Sequence, residues 1–335
     1  MSIISKDISK AVALLTNEEL VAIPTETVYG LAGNIYSEKA IKAIFETKKR
    51  PFFNPLIVHI PSVDLLNDIV DYIPEKAQLL ADAFWPGPIT LVLKKKTIIP
   101  DLITAGKDTV AVRVPNHATT LELLKQLPFP LAAPSANPFS SISPTTAQHV
   151  EDYFKDTIKM VLDGGPCKSG IESTIIGFEN DAPIIYRLGS TSIEAIEAVV
   201  GTIEIKNTVT EGGSLSEVEM SRSQKEISPN APGMLARHYA PKTKTILTHN
   251  VSETLKQHRQ KRVGVLVFQN EIKTNTIKAQ IVLSKTGDLT EAASNLYHAL
   301  HQLDKAELDV IIAEQFPNYG LGKSINDRLS RATKS

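Results

Sequence analysis

The sequence predicts an α/β protein built from two domains. Over the first two hundred of its 335 residues, short apolar runs typical of strands alternate with apolar residues at helical spacing. A stretch rich in Ser, Glu and Gly follows at residues 207–230 and has no sustained hydrophobic period. A second, smaller α/β pattern begins near residue 245. We therefore place one domain at residues 1–205, a linker at 206–241 and a second domain at 242–335.

The first domain is predicted to hold a large sheet with some antiparallel strands. Helices are expected around residues 8–15, 37–45 and 77–84, with Ser37 capping the second, and another helix capped near Ser143. Hairpin-length connections near residues 178–184 indicate antiparallel neighbours in the sheet. Strands are predicted at 20–23, 56–60, 89–93, 110–114, 130–133, 158–162, 174–178 and 184–186.

The second domain repeats the alternation on a smaller scale. Helices are predicted at 289–303 and 324–332. Strands are predicted at 245–248, 263–268, 280–283 and 309–313.

Composition excludes several classes of protein. Lys plus Arg number 36 against 37 for Asp plus Glu, so the net charge of -1 does not indicate general nucleic-acid binding. A single cysteine, Cys167, allows no internal disulfide. The first fifteen residues do not resemble a signal peptide, and no apolar run approaches the ~20 residues of a membrane span. We expect a cytoplasmic protein.

Familiar nucleotide loops are absent from the sequence. Gly322-Lys323-Ser324 resembles the end of a P-loop, but Pro317 stands where the first glycine of that motif should be. Neither a dinucleotide-binding glycine motif after a strand nor an H-E-x-x-H or G-x-S-x-G motif is present.

Polar clusters instead follow the ends of apolar runs, where ligands bind in α/β sheets. They lie at residues 24–31, 48–59, 131–145 and 163–175. Each also has a plainer interpretation as a turn, a helix end or a satisfied strand histidine. Arg113 and Arg187 each end an apolar strand, and an inward-facing arginine needs a partner charge, which a bound carboxylate or phosphate would supply.

The order of these clusters resembles the YrdC-like family of threonylcarbamoyl-AMP synthases over about residues 7–200. The matching motifs are PTETVYGL, Lys48-Lys49-Arg50, NPL with His59, AVRVP, PSAN, GIESTI and YRLG. Residues 228–241 and the terminal GLGKSINDRLSRA resemble the longer, two-domain branch. The resemblance implies a YrdC-like twisted mixed sheet with flanking helices, plus a smaller Rossmann-like C-terminal domain.

The resemblance also implies a reaction. L-Threonine and bicarbonate or CO2 would give a carbamate, which attacks the α-phosphate of ATP to form threonylcarbamoyl-AMP and pyrophosphate. Mg²⁺ would arrive with ATP on phosphate and water ligands, without assigned protein ligands. A downstream tRNA threonylcarbamoyl transferase complex would use the product on adenosine in tRNA. Direct tRNA binding by this chain is left open.

The resemblance carries roles onto particular residues. Lys48 and Arg50 would be catalytic and hold the triphosphate. Separately from the resemblance, the shift of the linker from Ser- and Glu-rich to aromatic and basic residues predicts that it crosses the mouth of the site, with Asn230 or nearby residues approaching the nucleotide. ATP would contact Lys48, Arg50, Asn54, Thr109, Ser135, Asn137, Ser143, Arg187 and Asn230. L-Threonine would contact Thr27, His59, Arg113, Ala133 and Ser173.

Two other classes of function compete with this interpretation. An RNA-binding module without chemistry would use a basic surface of Lys48, Lys49, Arg50, Arg113 and Arg187 to track phosphates. An amino-acid-sensing regulator would bind threonine without releasing pyrophosphate.

Overall fold

The structure is a computed structural model that describes residues 2–206 and 239–334. It contains one large mixed sheet in the first of these ranges and one small parallel sheet in the second. Most of the predicted linker, with Asn230, lies outside the described residues. In the described ranges, no helix combines the length and the apolar character needed to cross a bilayer.

The large sheet runs in the order β1-β9-β2-β3-β8-β4-β7-β6-β10-β11-β12, and β5 pairs with β6. Its strands are β1 (Ile4–Ser5), β2 (Val21–Ile23), β3 (Gly30–Asn34), β4 (Ile57–His59), β5 (Val70–Tyr72), β6 (Ile89–Lys95), β7 (Thr109–Arg113), β8 (Leu131–Ala132), β9 (Val161–Leu162), β10 (Thr174–Glu179), β11 (Ala182–Arg187) and β12 (Glu204–Ile205). Strand β3 was not predicted, because its Gly-rich sequence resembles a turn.

Both parallel and antiparallel pairs occur, so the predicted mixed sheet is confirmed. Strands β4 and β7 are parallel, whereas β2–β3 and β10–β11 are antiparallel hairpins. The second hairpin turns at Asn180 and Asp181, whose φ angles are 49° and 63°. Asn and Asp tolerate this left-handed conformation, which gives a two-residue hairpin the twist of its strands. The hairpin expected near residues 178–184 is therefore present.

Helices pack on this sheet through their apolar faces. Ser37 caps α2 as predicted, its side chain accepting from the amide of Ala40. The helix expected to begin near Ser143 instead begins at Ala147, with Thr146 as its cap. The helices are α1 (Ile8–Thr16), α2 (Glu38–Lys48), α3 (Leu66–Ile69), α4 (Glu75–Phe84), α5 (Asp101–Thr104), α6 (Ala118–Lys125), α7 (Ala147–Phe154) and α8 (Ile193–Val200).

The small sheet has the order β13-β16-β14-β15, and all its pairs are parallel. This arrangement, with helices in the connections, confirms the predicted smaller α/β unit. Its elements are β13 (Thr245–Thr248), α9 (Val251–Gln257), β14 (Val263–Val267), β15 (Ile277–Val282), α10 (Leu289–Asp304), β16 (Val310–Glu314) and α11 (Leu321–Ala332).

Helix α10 packs directly against loops of the large sheet. Val28 and Ile171 belong to the same buried apolar cluster as Leu296 of α10. At Gly170, where φ is 70°, an added Cβ would lie 2.2 Å from the carbonyl oxygen of Ser294. Only glycine therefore permits this approach of the loop to the helix.

Two buried histidines stack across the same interface. The rings of His149 in α7 and His301 in α10 lie 3.9 Å apart between centroids. Burial, reinforced for His149 by His301 and His298, lowers the pKa of His149 to about 3. Burial likewise lowers the pKa of His301 to about 4, with Lys305 acting in the same direction. Both rings are therefore neutral in the folded protein at neutral pH.

This stack predicts acid sensitivity of the folded state. Between pH 6.5 and about 4 the unfolded chain binds protons on these histidines that the folded chain does not, so stability falls as pH decreases. We expect the melting temperature of the His149→Gln variant to fall less steeply across this range than that of the unmodified protein. Thermal unfolding from pH 7.5 to 4.5 measures both slopes, and equal slopes would contradict the assignment.

Candidate active site

A cavity opens where the central strands of the large sheet end. It draws on the β2–β3 loop and the start of β3, on strands β4, β7 and β11, on the residues that follow α2 and β8, on those that precede β10, and on Tyr239 at the start of the second described range. Its lining residues are Thr25, Thr27, Val28, Gly30, Arg50, Ile57, His59, Arg113, Ala133, Pro134, Ser135, Glu172, Ser173, Arg187 and Tyr239.

Many residues singled out in the sequence meet in this cavity. Strand pairing explains the meeting: His59 lies opposite Arg113 in the parallel pair β4–β7, and Ala133 donates its amide to the Ile57 carbonyl at 3.1 Å. Gly30 bridges to Ser135 and has no side chain to separate the two segments. The predicted residues that line the cavity are Thr27, Arg50, His59, Arg113, Ala133, Ser135, Ser173 and Arg187.

Arg113 is held by a carboxylate inside the protein. Its guanidinium lies 2.6 Å from Glu26 and donates to the hydroxyl of Thr27 at 2.9 Å. Both ends of the ion pair are buried. The partner charge required by a buried strand arginine is thus supplied in part by Glu26, a residue of the PTETVYGL motif that the sequence analysis left without a role. The pair fixes the orientation of the guanidinium toward the cavity.

Arg50 and Arg187 bring further positive charge to the cavity. Arg50 donates to the carbonyls of Asn54 and Pro55, and burial lowers its pKa to about 9. Arg187 donates to the Ser173 carbonyl at 2.8 Å and to its hydroxyl at 3.1 Å, and burial lowers its pKa too. The charge of Arg187 lowers the pKa of Arg50 further, and the charge of Arg328 lowers that of Arg187. A bound polyanion would offset both the cost of burying these charges and the repulsion between like charges.

His59 and Ser173 add neutral polar groups. Burial, and next the charge of Arg113, lowers the pKa of His59 to about 3, so its ring is neutral at neutral pH. Within the described part of the chain, its Nδ1 atom has no hydrogen-bond partner. The Ser173 hydroxyl lies 2.8 Å from that of Thr90. These groups suit binding of a polar ligand rather than proton transfer at neutral pH.

Lys48 lies beside the cavity and does not line it. Its buried ammonium group donates to the carbonyl oxygens of Ser135 and Asn137. Burial, with the nearby charge of Arg50, holds its pKa well below the usual range. Lys48 therefore holds the 135–138 turn against the end of α2.

Four further residues predicted to contact ATP also lie outside the cavity lining: Asn54, Thr109, Asn137 and Ser143. The amide of Asn54 is buried and, among the described residues, has no hydrogen-bond partner. Thr109 shares a face of β7 with Arg113, about 13 Å along the strand. Asn137 donates to the carbonyls of Pro138 and Ser141, and Ser143 donates to Glu172.

Glu172 is the acidic group that the sequence analysis missed in this cavity. Its carboxylate accepts from Ser143 at 2.6 Å, from Tyr297 of α10 at 2.8 Å and from Arg328 of α11 at 2.7 Å. Burial alone would raise the pKa of Glu172, but Arg328 and Arg187 outweigh it and the pKa is lowered. Its position directly before Ser173 was a signal, but two of its partners, Tyr297 and Arg328, lie more than a hundred residues away along the chain.

Metal ions in proteins need a set of suitably placed ligands. In the residues that the structure describes, no group of three or more His, Cys, Asp or Glu side chains is placed to hold a metal ion. The oxygens of Glu172, although in the cavity, are occupied by the donors named above.

Comparison with known proteins identifies the family of this chain. The sequence model of the Sua5/YciO/YrdC family, described as "Telomere recombination", matches residues 13–189. A second model, described as "Threonylcarbamoyl-AMP synthase, C-terminal domain", matches residues 191–333. The threonylcarbamoyl-AMP synthase of Pyrococcus abyssi is 40% identical over 333 residues, covering 96% of this chain and 93% of that protein. The chain belongs to the threonylcarbamoyl-AMP synthase family.

Other relatives extend the match over both domains. The threonylcarbamoyl-AMP synthase of Bacillus subtilis is 40% identical over 334 residues, covering 97% of this chain and 92% of that protein. A crystal structure of P. abyssi Sua5 complexed with L-threonine superposes with a TM-score of 0.86 at 39% identity, covering 97% of this chain and 94% of that one. The two-domain form of the family predicted from the sequence is therefore confirmed.

The environment of Lys48 predicts a structural cost when it is removed. We expect Lys48→Met to lower the free energy of unfolding by about 3 kcal/mol, because two buried carbonyls lose a charged donor. Exposed Lys49 next to it is the matched control, and Lys49→Met should leave stability unchanged. Urea unfolding of both variants measures the difference. Equal stability of the two variants would show that Lys48 does not hold the turn.

Proposed function

We propose that this protein is an L-threonylcarbamoyladenylate synthase. L-Threonine loses an amine proton and adds CO2, derived from bicarbonate, to give a carbamate. A carbamate oxygen then bonds to the α-phosphorus of ATP while the bond to the leaving pyrophosphate breaks. The observation that carries this proposal is the single cavity in which the guanidiniums of Arg50, Arg113 and Arg187 face the hydroxyls of Thr27 and Ser173.

The cavity offers separate groups for the two substrates. Arg113, oriented by Glu26, presents a planar guanidinium suited to the carboxylate of threonine. Thr27, His59, Ser173 and the backbone at Ala133 surround the space for the amine, hydroxyl and carbamate. Arg50 and Arg187 suit the phosphates, with Ser135 nearby.

Positioning and charge neutralisation are the chemistry that such residues supply. The buried guanidiniums are in place before the phosphates arrive, so little reorganisation is needed when negative charge shifts to pyrophosphate. A magnesium ion accompanying ATP would be held by phosphate oxygens and water, and no protein ligand is assigned to it.

The linker and the partners of the reaction belong to the same proposal. Tyr239, at the C-terminal end of the linker, lines the cavity, and Ala240 pairs with Ser141. These contacts support a linker whose C-terminal end lies at the site. Asn230, proposed to approach the nucleotide, lies outside the described residues. The product would pass to a tRNA threonylcarbamoyl transferase complex in the cytoplasm.

Burial weighs against the RNA-binding alternative. Of the five residues that would form its basic surface, Lys49 is exposed, but Lys48, Arg50, Arg113 and Arg187 are all at least nine-tenths buried. Buried cations in a cavity can contact a small anion but cannot follow the backbone of a long polyanion.

The direct test is pyrophosphate release from ATP. We expect release to require both L-threonine and bicarbonate, and mass spectrometry to detect threonylcarbamoyl-AMP. Omission of either substrate is the control. Threonine binding without pyrophosphate release would favour the amino-acid-sensing alternative, and salt-sensitive RNA binding without release would favour the RNA-binding one.

The division of roles within the cavity predicts opposite effects of two conservative substitutions. Arg113→Lys keeps the charge beside Glu26 but loses the planar fork, so we expect the KM for L-threonine to rise about tenfold or more and the KM for ATP to change less. Arg50→Lys should show the reverse order. Steady-state kinetics of both variants measure the two constants, and equal losses for both substrates in Arg113→Lys would contradict a carboxylate clamp.

A further inference from the structure

Arg328 of α11 reaches the cavity from the second domain. Its guanidinium is fully buried, donates through Nε to Glu172 at 2.7 Å and donates to the Leu188 carbonyl at 2.7 Å. It also lies over the ring of Tyr239, 4.7 Å from the ring centroid. One side chain of the last helix therefore touches several segments that form the wall of the cavity.

Each of these three contacted residues either lines the cavity or is the sequence neighbour of a residue that does. Glu172 and Tyr239 line the cavity themselves, and Glu172 directly precedes Ser173. Leu188 directly follows Arg187, which in turn donates to the Ser173 carbonyl and hydroxyl. A shift of the Arg328 guanidinium would thus act on Ser173 and Arg187 through covalent neighbours and a hydrogen bond.

The chemistry of the contact also matters. A buried carboxylate needs charged or hydrogen-bonding partners to remain ionised, and Arg328 is the charged partner that contacts Glu172 directly. Tyr297 of α10 adds a neutral donor to the same oxygen. If Arg328 were lost, Glu172 would protonate or turn toward Arg187, and either change would alter the charge presented to the nucleotide.

We propose that Arg328, assisted by Tyr297, is a positioning residue of the active site, through which the second domain fixes Glu172, Ser173 and Arg187 in their reactive arrangement. The proposal rests on the proposed function. The second domain then completes the site, and its role extends beyond packing against the first domain. Arg328 itself touches no substrate in this proposal.

The test compares Arg328→Lys with a matched control from the same helix. Ser324 donates a buried hydrogen bond to the Gly189 carbonyl and does not line the cavity, so Ser324→Ala removes an interdomain contact alone. Both are made in the full chain. Melting temperature reports the interface, and kcat and KM for pyrophosphate release report the site.

We expect Arg328→Lys to lower kcat by about 10- to 100-fold, because lysine cannot reach Glu172 and the Leu188 carbonyl together. Ser324→Ala should keep a kcat close to that of the unmodified protein, even if its melting temperature falls as far as that of Arg328→Lys. Glu172→Gln combined with Arg328→Lys should be no slower than the slower single variant, as expected for one shared contact.

Equal kcat values for Arg328→Lys and Ser324→Ala at matched stability would overturn the proposal and leave Arg328 as a packing residue. A fully additive double variant would also contradict it. If the unmodified protein releases no pyrophosphate, the proposed function fails instead. Calorimetric titration with ATP then tests the role of Arg328 separately. We expect Arg328→Lys to bind ATP more weakly than Ser324→Ala does, and equal affinities of the two variants would reject the inference.

Discussion

The buried carboxylate of Glu172 lines the cavity and is hydrogen-bonded by side chains from both domains. It accepts from Ser143 in the first domain and from Tyr297 and Arg328 in the second. Taking a carboxylate out of water costs several kcal/mol unless such partners are present. Because the partners come from separate parts of the chain, Glu172 is fully compensated only when the domains are docked. Formation of the interface and formation of the cavity wall are therefore one event.

The buried cations in and beside the cavity have two different kinds of partner. Arg113 is neutralised by Glu26, so its charge is largely compensated and its geometry is fixed. Arg50 and Lys48 donate instead to main-chain carbonyls, which orient them without supplying a full negative charge. The first arrangement suits a single carboxylate and the second favours a strongly charged ligand such as a triphosphate. Lys48 also holds the 135–138 turn against the end of α2.

Much of the fold was readable from local patterns. Alternating apolar runs located most strands, and capping by Ser37 located α2. Local rules failed where tertiary contacts decide the structure. Strand β3 is rich in glycine and forms because its neighbours β2 and β8 pair with it. Helix α7 begins at Ala147, with Thr146 as its cap, whereas Ser143 is engaged by Glu172. Strand propensity and helix caps describe a residue's preferences but not its distant partners.

The sequence by itself determined the α/β class, the family and most residues that line the cavity, because these depend on motifs whose order is visible along the chain. Only the tertiary structure decided which of those residues face the cavity and which support it. Lys48 turned toward carbonyls, and Glu172 and Arg328 met across 156 positions of sequence. The reason is physical: a buried charge is placed by the partners that compensate it, and contacts between distant segments exist only after the chain has folded.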